Sequence, residues 1–112
     1  NMLINHATTE KTFIGTFEYF DENFEFYSIM LKNKGTLFFQ QRFKELIVEQ
    51  FMRRNNRQLG ESPEFDFAVQ FSASATVGCI EWWIRNDRPL TAEEMAARMA
   101  DIHRTFPKWM KI

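Results

Sequence analysis

Apolar residues along this chain recur at the three- and four-residue steps of an α-helix and nowhere with the alternation of a half-buried strand. Phe13, Phe17, Phe20 and Phe24 step by four, three and four, so four rings share one helical face. Glu10, Lys11, Glu18 and Asp21 lie mostly away from that face. The pattern predicts a first helix over about 9–21. Asp21-Glu22-Asn23 supplies capping side chains that restart the chain as a second helix over about 22–33, in which Tyr27, Met30 and Leu31 continue the stripe. Gly35 suits the left-handed position after a helix end. A third helix is predicted from about Thr36 to Asn56. Phe39, Phe43, Leu46, Ile47 and Phe51 form its stripe, and Gln41, Lys44, Glu45, Glu49 and Arg53 its wet face. Residues 1–8 carry little pattern and read as an arm or the tail of an earlier helix.

The fourth predicted helix opens with Ser62 as cap and Pro63 at the first helical position, where a missing N–H costs nothing, and runs to about Asn86. From Phe65 to Ile84 its only charged residues are Asp66 and Glu81. A helix apolar nearly all round is buried on more than one side. Ser72, Ala73, Ser74, Ala75, Gly78 and Cys79 are small enough to let another backbone come near. A glycine inside a helix costs about 1 kcal/mol relative to alanine, so Gly78 points to close packing. Thr91 and Glu94 form a capping box that starts a fifth helix, with Leu90 and Met95 placed as a hydrophobic staple. Met95, Met99, Ile102 and Phe106 then step by four, three and four, and Pro107 closes the element. The expected architecture is all-α: one domain over 1–112, an antiparallel bundle of about five helices.

Composition sharpens this picture in two ways. Thirteen Phe, 3 Trp and 2 Tyr against 4 Gly and 3 Pro imply long helices around a bulky aromatic core. Fourteen basic and 15 acidic residues give a net charge of -1, whereas nucleic-acid binders carry a basic excess to neutralise phosphates. Direct DNA binding by this segment is therefore not expected. The basic run Arg53-Arg54-Asn55-Asn56-Arg57 is explained by its place at a helix C-terminus, where cations suit the macrodipole. A lone cysteine, Cys79, makes no internal disulfide, and no apolar run reaches the roughly 18 residues of a membrane span. No signal peptide is visible, so a cytoplasmic protein is expected. The Asn1-Met2 start suggests a piece of a longer parent.

Candidate chemistry is sparse. His6 and His103 are far apart, with no Cys or carboxylate at a metal-ligand spacing. Cys79 sits among small apolar residues and reads as a packed thiol. Glu81, flanked by Cys79-Ile80 and Trp82-Trp83, admits two readings: the exposed side of the helix or the polar orienting group of a pocket. There is no Gly-rich phosphate loop and no Ser-centred elbow. No catalytic residue, metal or cofactor is assigned, and an enzyme is not expected. A helical enzyme or carrier would instead need polar groups to converge, around Glu81 or His103. The aromatic excess is either plain core packing or the wall of an apolar cavity with a few polar groups. The lining set expected for such a cavity is Phe20, Phe24, Tyr27, Phe39, Phe43 and Phe71, with Tyr27 and Gln40 as polar contacts.

Three segments carry a family resemblance. Gly78-Cys79-Ile80-Glu81-Trp82-Trp83-Ile84, a short turn, and Leu90-Thr91-Ala92-Glu93-Glu94-Met95-Ala96 resemble the end of a TetR-type regulator's C-terminal domain. There, G-x-x-x-x-W closes one long helix, and S/T-x-E-E-hydrophobic-A opens the last. Glu22-Asn23-Phe24-Glu25-Phe26-Tyr27 resembles the family's short E-N-x-x-F-Y segment, and Phe38-Phe39 with the long helix after it also fits. The likeness spans about residues 10–106. It is nearest to the Firmicutes-type branch common in low-GC Gram-positive bacteria, which includes a dihydroxyacetone-kinase coactivator. The resemblance implies an N-terminal helix-turn-helix domain, absent from this chain, that reads DNA as a dimer. It implies a homodimer joined through the last two long helices, with Ala75, Gly78, Cys79, Trp82, Met95, Met99, Ile102 and His103 at the interface. It implies a small apolar effector between the core helices, whose binding changes the spacing of the DNA-binding heads. The alternative is a dimerising interaction or coactivator module with a filled core and no small-molecule ligand.

Overall fold

The computed structural model describes residues 2–112, with side chains from Thr9 onward. The described residues form four α-helices: α1 (Met2–Glu22), α2 (Phe24–Asn55), α3 (Pro63–Arg85) and α4 (Ala92–Arg104). A short 3-10 turn, Lys108–Met110, follows. No strand occurs among the described residues. The helix starts follow their local chemistry. Ser62 Oγ accepts the Phe65 N–H with Pro63 in the first turn, and Thr91 and Glu94 close a reciprocal capping box at 3.0 Å in each direction.

The helix count departs from five. The segments expected as a second and a third helix form one element, α2, of 32 residues, broken at Gly35. Gly35 has φ 84° and ψ 177°, a conformation nearly exclusive to glycine, and helix continues on both sides. The glycine therefore bends the element without supplying a loop. At the other junction a single residue, Asn23, separates α1 from α2. Its N–H and side-chain amide both donate to the Tyr19 carbonyl. The stretch 2–8, read from sequence as an arm or an earlier helix's tail, is continuous in backbone with α1. The side chain of His6 lies outside the described residues.

The helices pair as α1 with α4 and α2 with α3. The molecule measures 38 × 29 × 19 Å, and its smallest extent corresponds to two helix layers. Between the pairs lies one core: Phe17 and Phe20 from α1, Tyr27, Leu31, Phe39 and Phe43 from α2, Val77, Ile80, Trp83 and Ile84 from α3, and Ala92 and Met95 around the start of α4. Its centre is aromatic. Phe17 meets Trp83 edge to face at 5.3 Å, and Phe20, Tyr27, Phe39 and Phe43 all touch one another, with ring centroids 4.8–6.4 Å apart. The turn after α3 is fastened to the α1–α2 junction by Arg88. This residue pairs with Asp21 at 2.8 Å and lies 3.8 Å over the Phe24 ring.

Candidate functional site

Two features stand apart from the packed core: a cleft between α1 and α2, and an uncovered apolar face on α3 and α4. The cleft arises where the stripe of α2 outlasts its partners. Phe39 and Phe43 are buried, but Leu46, Ile47 and Phe51 run on beyond the core and remain half-buried or exposed. Opposite them, α1 presents Thr9, Thr12, Phe13, Thr16 and Tyr19, and Thr76 of α3 joins the lining. The space enclosed is about 730 Å³, within the range of small-molecule sites. Gly15 also lines it, and a methyl group placed on Gly15 would meet nothing within 4 Å.

Of the six side chains expected to line a cavity, Phe20 and Phe43 border this cleft. Tyr27 and Phe39 are spent on the aromatic core, and Phe24 packs partly against it beneath Arg88. The structure does not bring Phe71 to them. It lies on the outer side of α3, half exposed, with Phe67 and Phe106 as ring neighbours. The two polar contacts are also engaged elsewhere. The Tyr27 hydroxyl is hydrogen-bonded to that of Tyr19, and burial together with that bond raises its pKa far above the ordinary phenol value. Gln40 donates its amide to Glu81. Phe13, Leu46, Ile47 and Phe51 were legible as stripe residues, but periodicity gave no sign that two helices diverge over them.

Glu81 fits neither of its sequence readings. It is neither exposed nor aimed into the cleft: it is 8% exposed and fully occupied. Thr36 Oγ1 donates to its carboxylate at 2.6 Å, Gln40 Nε2 at 2.9 Å and Arg85 Nε at 2.8 Å. Arg85 also donates to the Thr36 hydroxyl at 2.9 Å. Burial alone would push the carboxyl pKa up, but the bonds from Thr36, Arg85 and Gln40 and the charge of Arg85 outweigh it and hold the pKa below the ordinary value. Thr36 follows Gly35 directly, so this cluster ties the bend in α2 to the end of α3. Because the folded pKa is depressed, the stabilisation is present at neutral pH and is lost as pH falls through the folded pKa. Glu81→Gln is expected to lower stability at pH 7 by about 1–3 kcal/mol in urea unfolding, with the gap to the parent closing as pH falls below the ordinary carboxylate value and through the lower folded one. A gap indifferent to pH would refute the ionic part of this account.

The uncovered face lies on α3 opposite its core side. Phe67, Phe71, Ala75, Gly78 and Trp82 step by four, four, three and four and therefore share one side. Phe67, Phe71 and Trp82 are 48–55% exposed. Phe106 and Trp109 stand beside Phe71 and Phe67 at 5.9 and 6.1 Å, and Ile102 of α4 is 57% exposed. Of the residues assigned to an interface by family resemblance, Ala75, Trp82 and Ile102 are exposed, and Gly78 and His103 are half-buried. Met95, Cys79 and Met99 face inward, as the first turns of α4 and the inner edge of α3 close the chain's own core. Burial pushes the Cys79 thiol pKa up, as in an inert packed cysteine. A methyl group on Gly78 would meet no atom within 4 Å beyond its chain neighbours and the backbone of its own helix.

Among the described residues, no group of three or more His, Cys, Asp or Glu side chains could hold a metal ion, and no helix is long and apolar enough to cross a membrane. No curated protein and no solved structure gives a significant match. The family model of the transcriptional regulator C-terminal region of TetR type matches residues 7–104, from α1 to the end of α4. With nearly the whole chain covered, and with an all-helical architecture to match, the chain belongs to the TetR family of transcriptional regulators, of which it is a C-terminal region.

Proposed function

We propose that the chain is the effector-sensing and dimerising half of a TetR-type regulator, joined in its parent to an N-terminal helix-turn-helix domain that carries the DNA contacts. The observation that carries this reading is the double-sided α3. One side closes the core with Val69, Val77, Ile80 and Trp83, and the other holds Phe67, Phe71 and Trp82 in solvent around the small residues Ala75 and Gly78. Contiguous exposed apolar surface of this kind marks an interaction site, and small residues between aromatic anchors let a second α3 come close. Two-fold pairing of α3 and α4 with their copies would cover it. The cleft between α1 and α2 is the effector site in this reading. An effector held there alters the head spacing only if it binds one arrangement of the helices more tightly than another. In this reading the nearest branch is the one common in low-GC Gram-positive bacteria.

Light scattering across a dilution series tests the assembly. A mass near twice 13.4 kDa that persists on dilution is expected; a monomer at high concentration would remove the reason for the second apolar face. A second reading, an interaction or coactivator module without a small-molecule ligand, is favoured by the close packing of Phe20, Tyr27, Phe39 and Phe43. It predicts that the cleft binds nothing.

A further inference from the structure

The cleft is electrically lopsided. Its walls are largely apolar, and among the described residues the charged ones that line it are Arg53 and Arg54, both in the last turn of α2. No acidic side chain among the described residues lines it. Among the described residues, side-chain ion pairs join Arg85 to Glu81, Arg88 to Asp21 and Arg104 to Asp101, and no side-chain carboxylate pairs with Arg53 or Arg54. Arg54 donates one N–H to the main-chain oxygen of Ile112 at 2.8 Å and lies 5.2 Å from the centre of the Phe51 ring. A guanidinium has five donors, so most remain for a ligand. Arg53 and Arg54 are both exposed at the rim of the cleft, their guanidinium groups stay charged at neutral pH, and charge-assisted hydrogen bonds from arginine to a carboxylate are among the strong ones.

This lining discriminates among ligand classes. A cation would be repelled by both arginines. A neutral apolar molecule would leave their charge unused. A polyphosphate would find an apolar trough and, at a helix C-terminus, carbonyl dipoles that offset part of the positive charge. A single carboxylate on an apolar body satisfies both ends. We propose that the cleft takes an amphipathic organic acid of the alkyl carboxylate class, its carboxylate on Arg54 and Arg53 and its chain between Phe13, Phe20, Phe43 and Ile47. The inference rests on the reading of the cleft as the effector site.

Titration calorimetry on the full chain with decanoate and with 1-decanol separates the two claims. Decanoate is expected to bind at least about tenfold more tightly than decanol, the charged hydrogen bonds to arginine supplying the difference. Arg54→Gln should erase most of that preference, and Arg53→Gln with it the remainder, while decanol binding falls far less than decanoate binding. Gly15→Phe fills the trough from α1 and should abolish binding of both. Equal binding of acid and alcohol, indifferent to Arg54→Gln but lost in Gly15→Phe, overturns the acid specificity and leaves the cleft as a site. Binding that survives Gly15→Phe places the ligand elsewhere and overturns the proposal. Binding of neither probe overturns both the acid specificity and the cleft as an apolar effector site.

Discussion

Trp83→Ala is expected to cost about 3–5 kcal/mol, a large part of the stability of a domain of this size. Trp83 is fully buried at the point where the two helix pairs meet. Its removal takes away the edge-to-face contact with Phe17 and opens a void between α1 and α3 that neighbouring rings, already fixed by one another, cannot fill. It also strands the Leu90 carbonyl, which accepts the indole N–H at 2.7 Å and so pins the turn leading into α4. Thermal and urea unfolding should show a melting temperature lower by roughly 10–25 °C. Trp83→Phe retains an aromatic ring but not the hydrogen bond, and should fall between the two. Loss of less than about 1 kcal/mol in Trp83→Ala would contradict the placement of this residue at the centre of the core.

Trp82 and Trp83 show how far the sequence carries and where it stops. Both were visible as bulky groups at the end of a long apolar helix, but periodicity alone does not say which of two apolar sides meets the chain's own core. The starts of α3 and α4 were legible because Ser62-Pro63 and Thr91-Glu94 act over three or four residues. Gly35 was legible as a break, but not as a bend within one element, because that depends on whether the following turn finds partners. Here Thr36 and Gln40 find Glu81, 45 and 41 residues away. The same distance hid the role of Glu81, whose immediate neighbours are apolar, and the Asp21–Arg88 pair spans 67 residues. The cleft was hidden for a related reason. Phe43, Ile47 and Phe51 continue a stripe that looks the same from sequence whether a partner helix covers it or turns away. The stripe Met95, Met99, Ile102 and Phe106 divides in the same manner. Its first residues enter the core and its last ones reach the surface, since α4 outruns the core beneath it.

On the proposed pairing through α3, Phe71→Asp and Trp82→Asp are expected to convert the dimer to a monomer without unfolding the chain. Both side chains are about half exposed in the single chain, so their loss removes little of the intramolecular core. In a two-fold interface each substitution enters twice, and each aspartate must be desolvated against an apolar surface with no cation nearby on α3 except Arg85, which already serves Glu81. An aromatic anchor at an interface commonly contributes 2 kcal/mol or more, so two copies correspond to at least about a thousandfold weaker association. Light scattering should give the monomer mass of 13.4 kDa at concentrations where the parent remains paired. Helical circular dichroism and the urea midpoint of the monomer should stay near those expected for the folded chain. Gly78→Ala sharpens the test. A methyl group at Gly78 meets nothing beyond its own helix in the isolated chain, so it should stabilise the monomer by up to about 1 kcal/mol through helix propensity. If a second α3 packs over Gly78, the same methyl group weakens the dimer. A dimer that survives both aspartate substitutions would mean that the chains pair through another surface, and the exposed face of α3 would then need a different partner.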